Sequence, residues 1–248
     1  MNGFDDYRTI CWQVDGTTGF LVLNQPPGNI MNLTFFDEFE DWLDRVEKAT
    51  LELIIISGAS RHFSSGTDLD QLLSEVERST LAEGTVGNSH IPAFINRNSN
   101  IFKRLSNLKI PVIAAISGVC IGSAFELALH CHFRISSKEG LFGLPETTFG
   151  LIPGLGGIAA MQLILKRAKA MEYLLRGKTF TASEALDIGL IDMIAERKDI
   201  REVALGFGRM LPENYKDVDR ALLIHKICKT SQGLENLRTI TRYEQEAC

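Results

Sequence analysis

Short apolar runs alternate with stretches of helical periodicity along the early part of the chain. "GFLVLNQP" (19–26) and "LELIIISG" (51–58) end at Pro or Gly and predict buried strands. Between them, "NLTFFDEFEDWLDRVEKA" (32–49) sets Phe35, Phe36, Phe39, Leu43 and Val46 at helical spacing, a stripe that predicts a core-facing helix. "IPVIAAISG" (110–118), "FRISS" (133–137) and "LFGLPE" (141–146) predict further strands, and the first leads into a helix carrying Glu126. Helices are predicted over 157–166, 168–176, 182–188 and most of 199–248. This order implies an α/β core followed by a helical tail. The polar stretch "EVERSTLAEGTVGNSHIP" (75–92) predicts a loop.

With 248 residues, 45% of them hydrophobic, the chain can bury a large core and is too apolar for disorder. Twenty-six basic against 31 acidic residues give a net charge of −5, with no dense Lys or Arg run, which argues against nucleic acid as a partner. No apolar run is long enough to span a bilayer, so no membrane partner is expected. Five irregularly spaced cysteines predict reduced thiols and a cytoplasmic protein, and the acidic N-terminus lacks a signal pattern.

Two carboxylates break the apolar pattern. Glu126 lies within "GSAFELALHCHF" (122–133), and Glu146 within "FGLPETTFGLIPG" (142–154). An unpaired buried carboxylate costs several kcal/mol. Either each meets a cation, or both face a cavity where their proton affinity is used.

Three glycine-bearing turns accompany them. "FSSGTDLDQLL" (63–73) places Gly66 before a helix start, with Thr67 and Asp68 in its first turn. "GVCIGSAFELAL" (118–129) runs a strand into a helix whose first turn carries Gly122, Ser123 and Ala124. "GLIPGLGGIAA" (150–160) breaks at Pro153 and opens a helix at Gly154. Small residues at helix starts leave N–H groups uncovered, and two such starts facing each other would make an oxyanion hole. Close helix–strand packing is the plainer explanation of the same glycines.

Those blocks, with "KAMEYLLRGKTFTASEALDIGLID" (169–192), resemble successive blocks of the crotonase (enoyl-CoA hydratase/isomerase) superfamily, in order and at matching separations. The resemblance implies a spiral of repeated ββα units over 1–192, and a helical region over 193–248 that assembles a homotrimer or hexamer. It implies an enoyl-CoA hydratase working through a thioester enolate, with no metal and no redox cofactor. Glu126 would activate the water and Glu146 would exchange a proton with the α-carbon. The backbone N–H groups of Thr67 and Ser123 would form the oxyanion hole, and that of Gly154 would position the water. Ser65, Gly66, Asp68 and Gly122 would line the substrate site. Ser123 stands where the family usually has Gly, and His132 where it usually has Asp. The family often carries Lys or Arg near the position of Asn29 to reach the CoA phosphates, and the usual last helix is cut short at "TRYEQEAC". Both departures leave an acyl-carrier-protein thioester open beside CoA.

Isomerisation or decarboxylation within the family would use one glutamate. A non-catalytic assembly protein would tend to lose a carboxylate, whereas this chain keeps both. Gly154, Gly156 and Ala159 fit G-x-G-x-x-A, but Pro153 sits where the preceding strand should end. "HCH" (130–132) lacks a second ligand cluster at matching spacing and reads as core. Asp68 reads as a helix-start charge rather than a catalyst.

Overall fold

A computed structural model describes residues 7–83, 92–195 and 199–211. A six-stranded sheet forms its centre, in the order β1 (Ile10–Asp15), β2 (Thr18–Leu23), β3 (Leu53–Gly58), β4 (Val112–Ile116), β6 (Phe133–Ser137) and β9 (Met193–Ala195). The β1–β2 hairpin is antiparallel and every other pairing in this sheet is parallel. A second sheet of three short strands has the order β5 (Val119–Ile121), β7 (Leu141–Gly143) and β8 (Thr179–Thr181). The chain therefore repeats one move: a long strand in the large sheet, a short strand in the small one, then a helix. β4, β5 and α4 (Ser123–His130) show it most plainly.

The unbroken apolar runs of β3 and β4 follow from burial on both faces, as in parallel sheets covered on both sides. Ile54, Ile56, Val112 and Ala114 join the main core, where α1 (Leu33–Val46) sets Phe35, Phe39 and Trp42. The alternate residues Ile55, Ile113 and Ala115 face Ile200 and Ala204 of α8 (Ile200–Met210) on the other side. β9 and α8 thus continue the core past residue 192. Of the helical assembly region expected over 193–248, residues 212–248, with the shortened last helix, lie outside the described residues.

Several expectations change. The loop expected over 75–92 is helical as far as Glu83, because α2 (Leu69–Glu83) carries Leu69, Leu72, Leu73 and Val76 at i, i+3, i+4 and i+7. Residues 84–91 lie outside the described residues. α3 (Ala93–Ser106) follows Pro92 and buries Ile101, Phe102 and Leu105. Thr67 and Asp68 precede α2 instead of lying in its first turn, and Asp68 caps it by accepting from the N–H of Gln71 at 3.0 Å. Gly154 likewise precedes its helix: α5 (Gly157–Ile164) starts three residues later, behind an N-cap Gly156 with φ +100°. Met193–Ala195 is a strand where only helices were expected, being too short to show a period. The remaining helices, α6 (Arg167–Arg176) and α7 (Ala182–Asp187), match the sequence pattern to within a residue or so.

Asn29 explains why no cation stands at its position. It is buried, holds φ +49°, and ties the 25–29 turn to the segment leading into the site. Its amide donates to the carbonyls of His62 and Phe63 at 3.0 and 3.1 Å, and its Oδ1 accepts from the N–H of Gln25. Asn29→Ala should cost about 2 kcal/mol, since it leaves buried groups unpaired and places a Cβ residue in left-handed backbone without local support. Chemical denaturation checks this, and an unchanged midpoint would refute the role.

Candidate active site

Parallel pairing brings the two glycine turns together. Ser64 bridges Cys120, with the Ser64 N–H donating to the Val119 carbonyl at 3.1 Å. Three residues further along both strands, Thr67 arrives beside Ser123. Gly66 makes the approach possible, because a Cβ there would lie 2.8 Å from the Ile121 carbonyl oxygen and 3.5 Å from the Ser123 nitrogen. Its φ of +91° also favours glycine. Ser123 opens α4 behind Gly122, whose carbonyl accepts from Phe125 and Glu126. The Ser123 N–H therefore belongs to the helix's uncapped first turn.

One turn on, Glu126 is 2% exposed and has backbone partners instead of a cation. Its Oε1 accepts from the N–H groups of Leu155 at 2.9 Å and Gly157 at 2.8 Å. Gly157 must lack a side chain, since its Cβ would stand 2.8 Å from Glu126 Cγ. His130, one turn further on α4, meets the Leu155 carbonyl through Nε2 at 3.0 Å. Burial lowers its pKa, so the neutral ring donates there. Glu126 and His130 thus grip residue 155 from both sides, which fixes the loop carrying Gly154. Arg134, fully buried, holds the other end of α4. Its Nη1 donates to the Ala128 and Cys131 carbonyls at 3.1 and 2.7 Å, and its Nη2 pairs with Asp192 at 3.0 Å.

Burial pushes the Glu126 carboxyl up to about 8. The two N–H bonds oppose the shift and the Glu146 carboxylate adds to it. Glu146 sits in a 3₁₀ turn, Pro145–Phe149, and burial pushes it up to about 7. Its Oε1 lies 3.5 Å from where a Cβ on Gly122 would be, so glycine there leaves the carboxylate room over the start of α4. Two carboxyls that hold protons near neutrality can trade one with a bound molecule.

Both glutamates line a single cavity of about 250 Å³. Ser65, Thr67, Asp68, Gly122, Ser123 and Gly154 line it too. Gly66 stands behind this wall, packed on the 121–123 backbone. Leu72 and Val76 from α2, Phe94 and Ile95 from α3, and Phe149 and Ile152 supply apolar walls. Sequence reading named none of these wall residues individually, and it missed the N–H donors of Leu155 and Gly157 and the roles of His130 and Arg134. The helical spacing of Leu72 and Val76 was the available signal. For the donors only the doubled glycine at 156–157 hinted at a close approach.

"HCH" is occupied otherwise: His132 Nδ1 accepts from the Val112 N–H at 2.9 Å and Cys131 Sγ leans on the Leu127 carbonyl. Among the described residues no cluster of His, Cys, Asp and Glu could hold a metal ion, and no helix is long and apolar enough to cross a membrane.

Comparison with known proteins identifies the family. The family described as enoyl-CoA hydratase/isomerase matches residues 16–246. A Bacillus subtilis (strain 168) protein named "Probable enoyl-CoA hydratase" is 34% identical over 197 residues, covering 79% of this chain and 72% of that one. An Arabidopsis thaliana protein named Delta(3,5)-Delta(2,4)-dienoyl-CoA isomerase, peroxisomal, is 29% identical over 247 residues, covering 96% and 89%. Among solved structures, Pseudomonas aeruginosa DspI superposes with a TM-score of 0.77 at 21% identity, covering 98% of this chain and 97% of that one. An enoyl-CoA hydratase from Polaromonas sp. JS666 gives a TM-score of 0.72 at 25% identity, covering 89% and 81%. The crotonase-like fold implied by the sequence blocks is the fold observed. With a family model matching residues 16–246 and a 34% identical relative covered over most of its length, the chain belongs to the enoyl-CoA hydratase/isomerase family.

Proposed function

We propose that the enzyme hydrates enoyl thioesters reversibly, adding water across the α,β double bond. The observation that carries this reading is the pair of buried carboxyls, raised to about 8 and about 7, on one cavity wall system. Addition of water needs a base and an acid at once, and a pair sharing one proton supplies both. By these values the shared proton rests mostly on Glu126, and the reactive arrangement is the minor one with the proton on Glu146. In it the Glu126 carboxylate takes a proton from water as the oxygen bonds to the β-carbon. The double-bond electrons move onto the thioester oxygen, which the N–H groups of Thr67 and Ser123 stabilise as an enolate oxygen. The Glu146 carboxyl then delivers its proton to the α-carbon, and solvent exchange resets the pair. The Gly154 N–H positions the water. These groups supply acid, base and charge stabilisation, so the proposed reaction calls on no metal or redox cofactor. Ser65, Asp68 and Gly122 shape the substrate's bed, while the apolar walls from α2 and α3 favour an acyl chain. A homotrimer or hexamer in the cytoplasm completes the reading, supported by the family resemblance and the cysteine pattern; light scattering on the purified chain tests the assembly.

A second reading is double-bond isomerisation, favoured by the Arabidopsis relative's name and its coverage of 96% of the chain. The same carboxyls would remove and return protons without consuming water. A panel of enoyl and dienoyl thioesters separates the two. Hydration removes the conjugated chromophore and adds one water mass, whereas isomerisation preserves mass. Absence of any 3-hydroxyacyl product across the panel would overturn the hydratase reading.

The carrier is tested with one acyl group on CoA, on pantetheine and on an acyl carrier protein. Asn29, buried in a turn, offers the nucleotide no charge. CoA and pantetheine substrates should therefore give similar KM values, with little dependence on salt. A KM about a hundredfold higher on pantetheine, about 2.7 kcal/mol if KM tracks binding, would show that other cations hold the phosphates and would remove the case for a carrier protein.

A further inference from the structure

Ser123 is a departure from the glycine usual at its position, and the structure shows what its side chain does. Thr67 Oγ1 donates to Ser123 Oγ at 2.6 Å, and Ser123 Oγ in turn donates to Met31 Sδ at 3.6 Å. Ser123 is 4% exposed and Met31 1%. Met31 is tied back to the same strand: its N–H donates to the Gly66 carbonyl at 2.9 Å, and its carbonyl accepts from Asp68 at 3.2 Å. The three residues thus form a closed ring of contacts, and all three line the cavity.

We propose that the Thr67 and Ser123 hydroxyls form a clip that fixes the separation of their two backbone N–H groups, and so sets how strongly the site polarises a thioester carbonyl. The inference rests on the oxyanion-hole reading above.

The two donors come from different segments, one before α2 and one at the start of α4. Gly66 and Gly122 between them contribute no side-chain packing. A backbone pair held only by glycines can breathe, and polarisation weakens quickly when a donor drifts from its short optimum. A direct hydroxyl–hydroxyl bond removes that freedom. It also satisfies a buried serine oxygen that would otherwise carry a desolvation cost. Thr67 and Ser123 are in this respect positioning residues: their side chains act through the backbone groups beside them.

The test uses the whole chain and the CoA thioester of para-dimethylaminocinnamic acid, whose absorption moves to longer wavelength as its carbonyl is polarised. The variants are Thr67→Val, Ser123→Ala, the double variant and Thr67→Ser, with thermal unfolding run on each. The wild type should shift the bound probe to the red. Thr67→Val and Ser123→Ala should each lose a similar share of that shift and lower kcat about 10–100-fold, with KM little changed. The double variant should be no worse than either single one, because both remove one bond. Thr67→Ser, which keeps the hydroxyl, should restore most of the lost shift even if it unfolds earlier. Retention of the full shift by the single variants, or additive losses in the double, would overturn the clip. So would a wild type that binds the probe without any shift. A wild type that shifts the probe but hydrates no enoyl thioester would overturn the hydratase reading alone, and the clip would still be read from the variants' spectra.

Discussion

Glu126→Gln and Glu146→Gln are each expected to lower kcat by about 10²–10⁴-fold, the usual worth of a general acid or base. The substitutions should leave the architecture standing. Glutamine keeps an oxygen that can accept from Leu155 and Gly157 where Glu126 Oε1 does now. At position 146 an amide occupies the same space beside Gly122. Because the two groups act together, the double variant should be little slower than the worse single one. The pH profile sharpens the expectation. With values of about 7 and about 8, the pair carries one proton only in a narrow range between them. The profile of kcat/KM should be a narrow bell peaking there, and its limbs belong to the pair rather than to either residue. Either single variant should lose one limb. Turnover near the wild-type rate in either variant, on every thioester the wild type accepts, would remove that glutamate from the mechanism.

What the sequence made legible tracks how locally each feature is encoded. The stripe Phe35, Phe36, Phe39 and Leu43 declared α1, since a period of 3.6 is visible within one helix. β3 and β4 were legible as apolar runs, although the second face they bury, against Ile200 and Ala204, could not be seen from the runs themselves. β1 was missed although Ile10, Trp12 and Val14 alternate with Cys11 and Gln13 ahead of the Gly16-Thr17 turn, because the run is short and only half apolar. The two carboxylates stood out because ionisable groups rarely sit among Phe, Leu and Ala without a use. The partners of Glu126 did not stand out. Leu155 and Gly157 act through backbone N–H groups, which every residue possesses and no side-chain pattern announces. The Thr67–Ser123 contact was hidden for a related reason: it depends on the register between segments 56 residues apart. The pairing of Ser64 with Cys120 sets that register.

Glu126→Gln should also make the protein more stable, by a margin that opens as pH rises from 4.5 to about 8. Folding raises the Glu126 pKa from 4.5 to about 8, burial being the main cause. Between those values the native state holds a proton that the unfolded chain has released. Stability therefore declines as pH rises through this window and stays flat above it, the reverse of a carboxylate held in a salt bridge. Integrated at about 1.4 kcal/mol per unit, the loss comes to roughly 5 kcal/mol once Glu126 is ionised. Glutamine cannot ionise, so the variant escapes the loss. Wild type and variant should unfold together near about pH 5 and separate by about 10 °C near about pH 9. Glu146→Gln should show the same sign with a smaller gain, since burial lifts that group only to about 7. Thermal unfolding across this range, with ligand absent, reads both. A Glu126→Gln curve parallel to the wild type at every pH would mean that the carboxylate's ionisation is already accommodated by the N–H groups of Leu155 and Gly157. The site would then lack the proton reservoir on which hydration depends.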